Sequence, residues 1–156
     1  MSQMTPEQLE DHADALELLN SEITASLSRQ AGSGQRLDAK AVLLVGYAGA
    51  AASFLATRHV QPVLAAFAYA AYGACVAAGI WTYAVRLYQD VPEPRRLFTD
   101  YLPKSRAQIL VALAATRVTA FEDNVPKQAR KVQRWWISLG SLVIGVTLML
   151  VALAGT

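Results

Sequence analysis

Three stretches of this chain lack Asp, Glu, Lys, Arg and His: residues 41 to 57, 60 to 85 and 135 to 156, uncharged runs of 17, 26 and 22 residues. A membrane-spanning helix needs roughly 17 to 25 predominantly apolar residues. A water-facing core would spread its apolar positions at helical or strand spacing; here they are pooled, as lipid requires. The pattern predicts an all-α, integral membrane protein with three transmembrane helices at 37–58, 61–88 and 135–155, plus cytoplasmic helices. The first two spans meet across a tight turn, Thr57-Arg58-His59-Val60-Gln61-Pro62.

Outside the runs the pattern changes. Residues 1–30 predict an acidic amphipathic helix, begun by Thr5 as N-cap, Pro6 at the first helical position and Gln8 returning the capping bond. Leu9, Leu16 and Ile23 recur every seven residues, with Ala13, Leu19 and Leu27 on the same face. Such a stripe wants a helical partner. Asn20 interrupts its edge; an exposed polar residue is the plainer reading, a register-setting or ligand-facing Asn the other. Ala31-Gly32-Ser33-Gly34-Gln35 predicts a flexible joint before the first span. Next come Asp38, read first as a helix cap and second as a ligand contact, and Lys40, able to snorkel toward headgroups.

Residues 89–134 form the long connection between the second and third spans, where Pro92 and Pro94 stop the preceding helix. Helical character resumes over 105–122, but Arg117 argues against a fourth span there. An arginine near a span's centre costs about 2.5 to 3.5 kcal/mol, and each Leu or Ile returns only about 0.3 to 0.6. This segment is read as a cytoplasmic or interfacial helix lying against the acidic N-terminal one. Asn124-Val125-Pro126 predicts a restart, after which Lys127, Arg130, Lys131 and Arg134 fall at i, i+3, i+4 and i+7 on one basic face. Trp135 and Trp136 mark the membrane interface.

Composition agrees: 54% of the 156 residues are hydrophobic and only 17% charged, outside the range of ordinary soluble domains. Ten of the 14 Lys and Arg lie between the second and third runs, which predicts that this connection is cytoplasmic and, with Arg29, Arg36 and Lys40 ahead of the first run, a multi-pass topology with a cytoplasmic N-terminus. Residues 1–28 hold six acids and no Lys or Arg, unlike a secretory signal. The single cysteine, Cys75, excludes an internal disulfide or a cysteine-rich zinc framework. Metalloprotease, CxxC, P-loop and dinucleotide motifs are all missing, and His12 and His59 fall on segments assigned to opposite faces. We therefore expect no enzyme, catalytic residue, metal or cofactor. Proton pumping has little support, since the spans carry only hydroxyls such as Ser53, Thr82 and Thr147.

Two features invite function. Ala66, Ala70, Ala74 and Ala78 repeat every four residues beside Gly73 and Ala77, and Ser141 and Gly145 form a similar pair; small residues at this spacing let helices approach closely, which predicts a homo-oligomer. The basic stripe reads first as a topology determinant and lipid-headgroup anchor. Its other reading is an anion site shared with Arg117 and facing the Asp38/Lys40 lip. Acids nearby would repel an anion unless they met sugar or base.

Leu16-Glu17-Leu18-Leu19-Asn20, Asp38-Ala39-Lys40-Ala41 and Ala120-Phe121-Glu122-Asp123-Asn124 followed by a basic helix together resemble the small transmembrane effectors of bacterial Pycsar antiphage systems. More loosely, they are similar to SLATT membrane domains. The resemblance implies an effector that responds to cyclic UMP or cyclic CMP made by a partner cyclase and then compromises the inner membrane. It marks Asn20, Asp38, Lys40 and Asn124 as pattern positions, joined as candidate nucleotide contacts by Arg117, Lys127, Arg130 and Lys131. No nucleic acid polymer is implied. The competing expectation is a membrane scaffold that recruits a cytosolic partner through the N-terminal helix; a constitutive channel is a third.

Overall fold

The computed structural model describes residues 10–83 and 104–155. The capping run Thr5 to Gln8, Leu9, the Pro92 and Pro94 stop, and the cations Arg86, Arg95 and Arg96 lie outside the described residues. Within them the fold is all-α: α1 spans Ala13–Ala56, α2 Pro62–Tyr83 and α3 Arg106–Ala154. Each helix contains a stretch long and apolar enough to cross a membrane. At 1.5 Å per residue the 22 residues of α2 rise about 33 Å, close to the ~30 Å hydrocarbon thickness. The 44 residues of α1 and 49 of α3 are about twice as long as a bilayer needs. Polar N-terminal halves account for the excess, and the chain is a multi-pass membrane protein.

It divides into two compact units, one of Met1–Gly32 with Leu87–Lys127 and one of Ser33–Arg86 with Gln128–Thr156. In the first unit the front halves of α1 and α3 pair side by side. The Asn20 amide donates to the Leu110 carbonyl at 2.8 Å, the Gln30 amide to Phe121 at 3.5 Å, and the Ala107 N–H to the Glu10 carboxylate at 3.4 Å. These partners stand 90, 91 and 97 residues apart, a nearly constant separation, so the helices run parallel. Ala13, Leu16, Asn20, Ile23, Leu27 and Gln30 of α1, all buried or half-buried, step by three and four in turn. Ala107, Leu110, Ala114, Arg117, Phe121 and Asn124 of α3 do the same. That alternation is the seven-residue repeat of coiled-coil packing. Leu19, expected on this face, is 49% exposed.

Two expected breaks are helical. Residues 31–35 continue α1 without interruption instead of forming a joint. A helical glycine costs about 0.8 to 1.0 kcal/mol relative to alanine, which packing can offset. In the second unit Gly34 is buried at the next step of the repeat, and Ser33 accepts a hydrogen bond from the Gln128 amide at 3.1 Å. Likewise α3 passes through Pro126 without restarting, and Asn124 is buried inside the helix rather than capping one. The proline ring sits at an exposed position, away from the packed face.

The second unit joins all three helices. α1 and α3 stay parallel, while α2 runs antiparallel to both. The Ser138 hydroxyl donates to the Cys75 carbonyl at 2.9 Å and meets Cys75 Sγ at 3.3 Å; the thiol also donates to the Leu44 carbonyl at 3.8 Å. Further along, the Tyr72 hydroxyl reaches Met149 Sδ at 3.6 Å. Glycine sets how close the helices come. A Cβ on Gly79 would lie 2.6 Å from Val45 Cγ2, and one on Gly145 would lie 2.6 Å from the Tyr72 ring.

The face that α2 buries within the chain is Ala68, Tyr72, Cys75, Ala78, Gly79 and Thr82. Ala66, Ala70, Gly73, Ala74 and Ala77 are exposed on its other side. Gly145 is occupied by the intrachain Tyr72 contact and Ser141 is half-buried beside it, so that pair offers no free assembly face. Overpacking a close contact typically costs 1 to 3 kcal/mol. Gly145→Ala should therefore lower the thermal midpoint in detergent by an amount equivalent to about 1 to 3 kcal/mol. Gly73→Ala, whose added methyl meets open space, should leave it unchanged or raise it slightly. Equal midpoints for the two variants would refute the packing assignment.

Candidate functional site

Polar side chains occupy positions where a coiled-coil seam would ordinarily carry leucine or valine. In the first unit these are Asn20 and Gln30 on α1 and Arg117 and Asn124 on α3. Asn20 is only 5% exposed, which overturns its reading as a solvated edge residue. Its amide donates to the carbonyls of Leu16 and Leu110 at 3.1 and 2.8 Å, and its Oδ1 accepts from Arg117 Nη1 at 3.0 Å. Asn124, 3% exposed, accepts from Lys127 Nζ at 3.5 Å. Gln30 spends its amide on Phe121, and its Oε1 is enclosed with no donor among the described residues.

In the second unit the equivalent feature is an ion pair. Lys131 Nζ lies 2.6 and 2.7 Å from the two oxygens of Asp38, with the side chains 15% and 26% exposed respectively. Because α1 continues through this region, Asp38 stands in mid-helix and caps nothing. Charge-assisted bonds of this geometry are stronger than neutral ones. Lys40 is exposed and holds its ammonium 5.8 Å from the Trp135 ring centroid. Arg134 lies 4.7 Å from the Trp81 ring centroid and donates to the Trp81 carbonyl at 3.2 Å.

The expected single basic face is thus divided among different jobs. Lys127 and Lys131 reach seam residues, Arg134 reaches α2, and Arg130 is exposed. Of the candidate nucleotide contacts, Asn20, Arg117, Asn124 and Lys127 belong to the first unit, and Asp38, Lys40, Arg130 and Lys131 to the second. Charge differs sharply between them. The described residues of the first unit hold seven acids and five Lys or Arg; those of the second hold six Lys or Arg and one acid.

A groove of about 310 Å³ opens in the first unit, floored by Ile23, Val118 and Phe121 and edged by Glu22, Ser26 and Glu122. No cluster of His, Cys, Asp and Glu among the described residues is suited to a metal. Comparison with family models, curated proteins and solved structures finds no match.

Sequence reasoning missed Gln30, Gln128 and Ser138. The signal was present: each falls on the same three-and-four alternation as the leucines. Stranding a buried polar partner costs about 1 to 3 kcal/mol, whereas replacing both partners with apolar groups is close to neutral. Asn20→Leu should therefore destabilise the first unit by about 1 to 3 kcal/mol, read as faster amide exchange in residues 10–30. Combining it with Arg117→Leu should recover most of the loss. A double variant no better protected than the single one would show that the two side chains do not act as a pair.

Proposed function

We propose that this chain is a bacterial inner-membrane effector, with its N-terminus in the cytoplasm, that responds to a cyclic pyrimidine nucleotide by compromising the membrane. The orientation rests on charge placement. Arg36, Lys40, Arg130, Lys131 and Arg134 cluster at one border of the apolar segments, while the turn joining α1 to α2 carries only Arg58. Lys and Arg concentrate on the cytoplasmic side.

The observation that carries the functional reading is that the polar pattern positions Asn20, Asp38 and Asn124 all hold a cation from α3: Arg117, Lys131 and Lys127. A seam built only for stability would use apolar residues there. Asn20–Arg117 and Asp38–Lys131 join α1 to α3, and a half-buried cation held this way by a polar or acidic side chain forms a latch for which an anionic phosphodiester competes. A ligand shifts such an equilibrium only through its differential affinity for the two forms. The exposed small residues of α2, Ala66, Ala70, Gly73, Ala74 and Ala77, then supply the surface for self-assembly, because close helix contact drives association in lipid.

A second reading is favoured by the apolar groove with Glu22 and Glu122 on its rim, which suits a scaffold receiving a basic amphipathic helix of a cytosolic partner. Membrane potential separates the two. Cells expressing the chain should depolarise when cyclic UMP or cyclic CMP is supplied, and Lys131→Met should alter that response. Ala70→Leu and Ala74→Leu should abolish both crosslinked oligomers and depolarisation. Unchanged potential with either nucleotide would favour the scaffold, and unchanged crosslinking would exclude the α2 face.

A further inference from the structure

At one border of its apolar segments the second unit carries a concentration of positive charge. Arg36, Lys40, Arg130, Lys131 and Arg134 each lie within five residues of Ala41 or Trp135, where the uncharged runs of α1 and α3 begin. The Asp38–Lys131 pair places those two borders side by side, and Asp38 is the one acid among the unit's described residues. Arg36, Lys40 and Arg130 are exposed and Arg134 is half-buried.

The indole rings at this level are arranged around the cations. Lys40 sits over Trp135, Arg134 over Trp81, and Trp135 meets Trp136 edge-on at 5.0 Å between centroids. Ring faces hold the charged heads near the apolar surface rather than out in water. The Trp135 N–H is enclosed and has no acceptor among the described residues. Immediately beyond the cations, Val42, Leu43, Trp136 and Ile137 are more than half exposed.

Cations held on ring faces and set against bare aliphatic surface describe an amphiphile with an anionic head. Phosphate alone would satisfy the polar part, but it gives no role to the apolar surface below. We infer that this collar binds anionic phospholipid, with the phosphodiester at Lys40, Arg130 and Arg134 and the acyl chains along Val42, Leu43 and Ile137. The assignment needs only the membrane embedding of the helices and does not depend on the nucleotide reading, although it shares Lys40 and Arg130 with it.

The test uses the full chain reconstituted in phosphatidylcholine vesicles, with brominated lipid as a short-range quencher of tryptophan fluorescence. Brominated phosphatidylglycerol, as a minor component, should quench more strongly than brominated phosphatidylcholine at the same fraction. At about 1 kcal/mol per cation near an anionic surface, Lys40→Gln with Arg134→Gln should reduce the preference by roughly tenfold or more. Arg58→Gln, at the opposite turn, should leave it intact. Helical circular dichroism confirms that each variant folds. Equal quenching by the two lipids in the wild-type chain, or an unaltered preference in the double variant, overturns the proposal. So does loss of the preference on adding inorganic phosphate at constant ionic strength, which would mark a free-anion site instead.

Discussion

Parallel packing of α1 against α3 is the constraint from which the remaining architecture follows. Two parallel helices cannot be joined by a tight turn, because the chain must first travel back along their length. α2 makes that return through the apolar layer, and its packing on both neighbours turns a helix pair into a bundle. The contacts differ between the two units. In the first unit, aliphatic residues such as Leu16, Ile23 and Leu27 line the seam, where burial away from water drives association. In the second, lipid removes that drive, so van der Waals fit must replace it. Gly79 against Val45 and Gly145 against Tyr72 are where that fit is tightest.

The spans were legible in sequence because an uncharged run of the right length has few other physical explanations. The turn at Thr57 to Pro62 was equally legible: Pro62 begins α2, and the Thr57 and Arg58 N–H groups close the end of α1 on Phe54 and Leu55. The continuity of α1 and α3 was not. Gly32, Gly34 and Pro126 are local signals for a break, and a short window weighs them fully. Over thirteen α1 positions from Ala13 to Leu55 the three-and-four alternation never slips, but seeing it requires reading Asn20, Gln30 and Gly34 as interior residues. Polarity argued against that reading. The same bias directed attention to the alanines of α2 as a packing face, whereas within the chain α2 uses the neighbouring side, where bulkier Tyr72 alternates with glycine and cysteine.

Buried polar groups in such a seam contribute more to discrimination than to stability. Asn20 and Arg117 lose hydration and regain it only in one alignment, since shifting α3 by a turn would leave the asparagine facing aliphatic carbon. Desolvation penalties of this kind often equal the attraction that offsets them. The net effect is a helix pair whose correct alignment is favoured less by its own depth than by the cost of every alternative. Asp38 and Lys131 impose the same condition in the second unit, with full charges in place of an amide.

That distinction bears on which contacts are available to change. The glycine contacts against Tyr72 and Val45 have no polar competitor: no solute can replace a missing ångström of packing. The Asn20–Arg117 and Asp38–Lys131 contacts between α1 and α3 are different, because each presents a cation whose partner another anion or acceptor can substitute. Any solute-dependent rearrangement of this chain should therefore begin at the polar seam positions and leave the glycine-set contacts of the bundle in place. Among these latches Asp38–Lys131 is the most strongly coupled, since both partners carry full charge and both are largely enclosed. Its exchange for a phosphodiester would conserve the charge beside Lys131 while releasing an aspartate on α1, the one acid among the described residues of that unit. A carboxylate freed at the start of an apolar run must be rehydrated, and the cost of leaving it beside lipid is what would couple ligand exchange to movement of the helix that carries it.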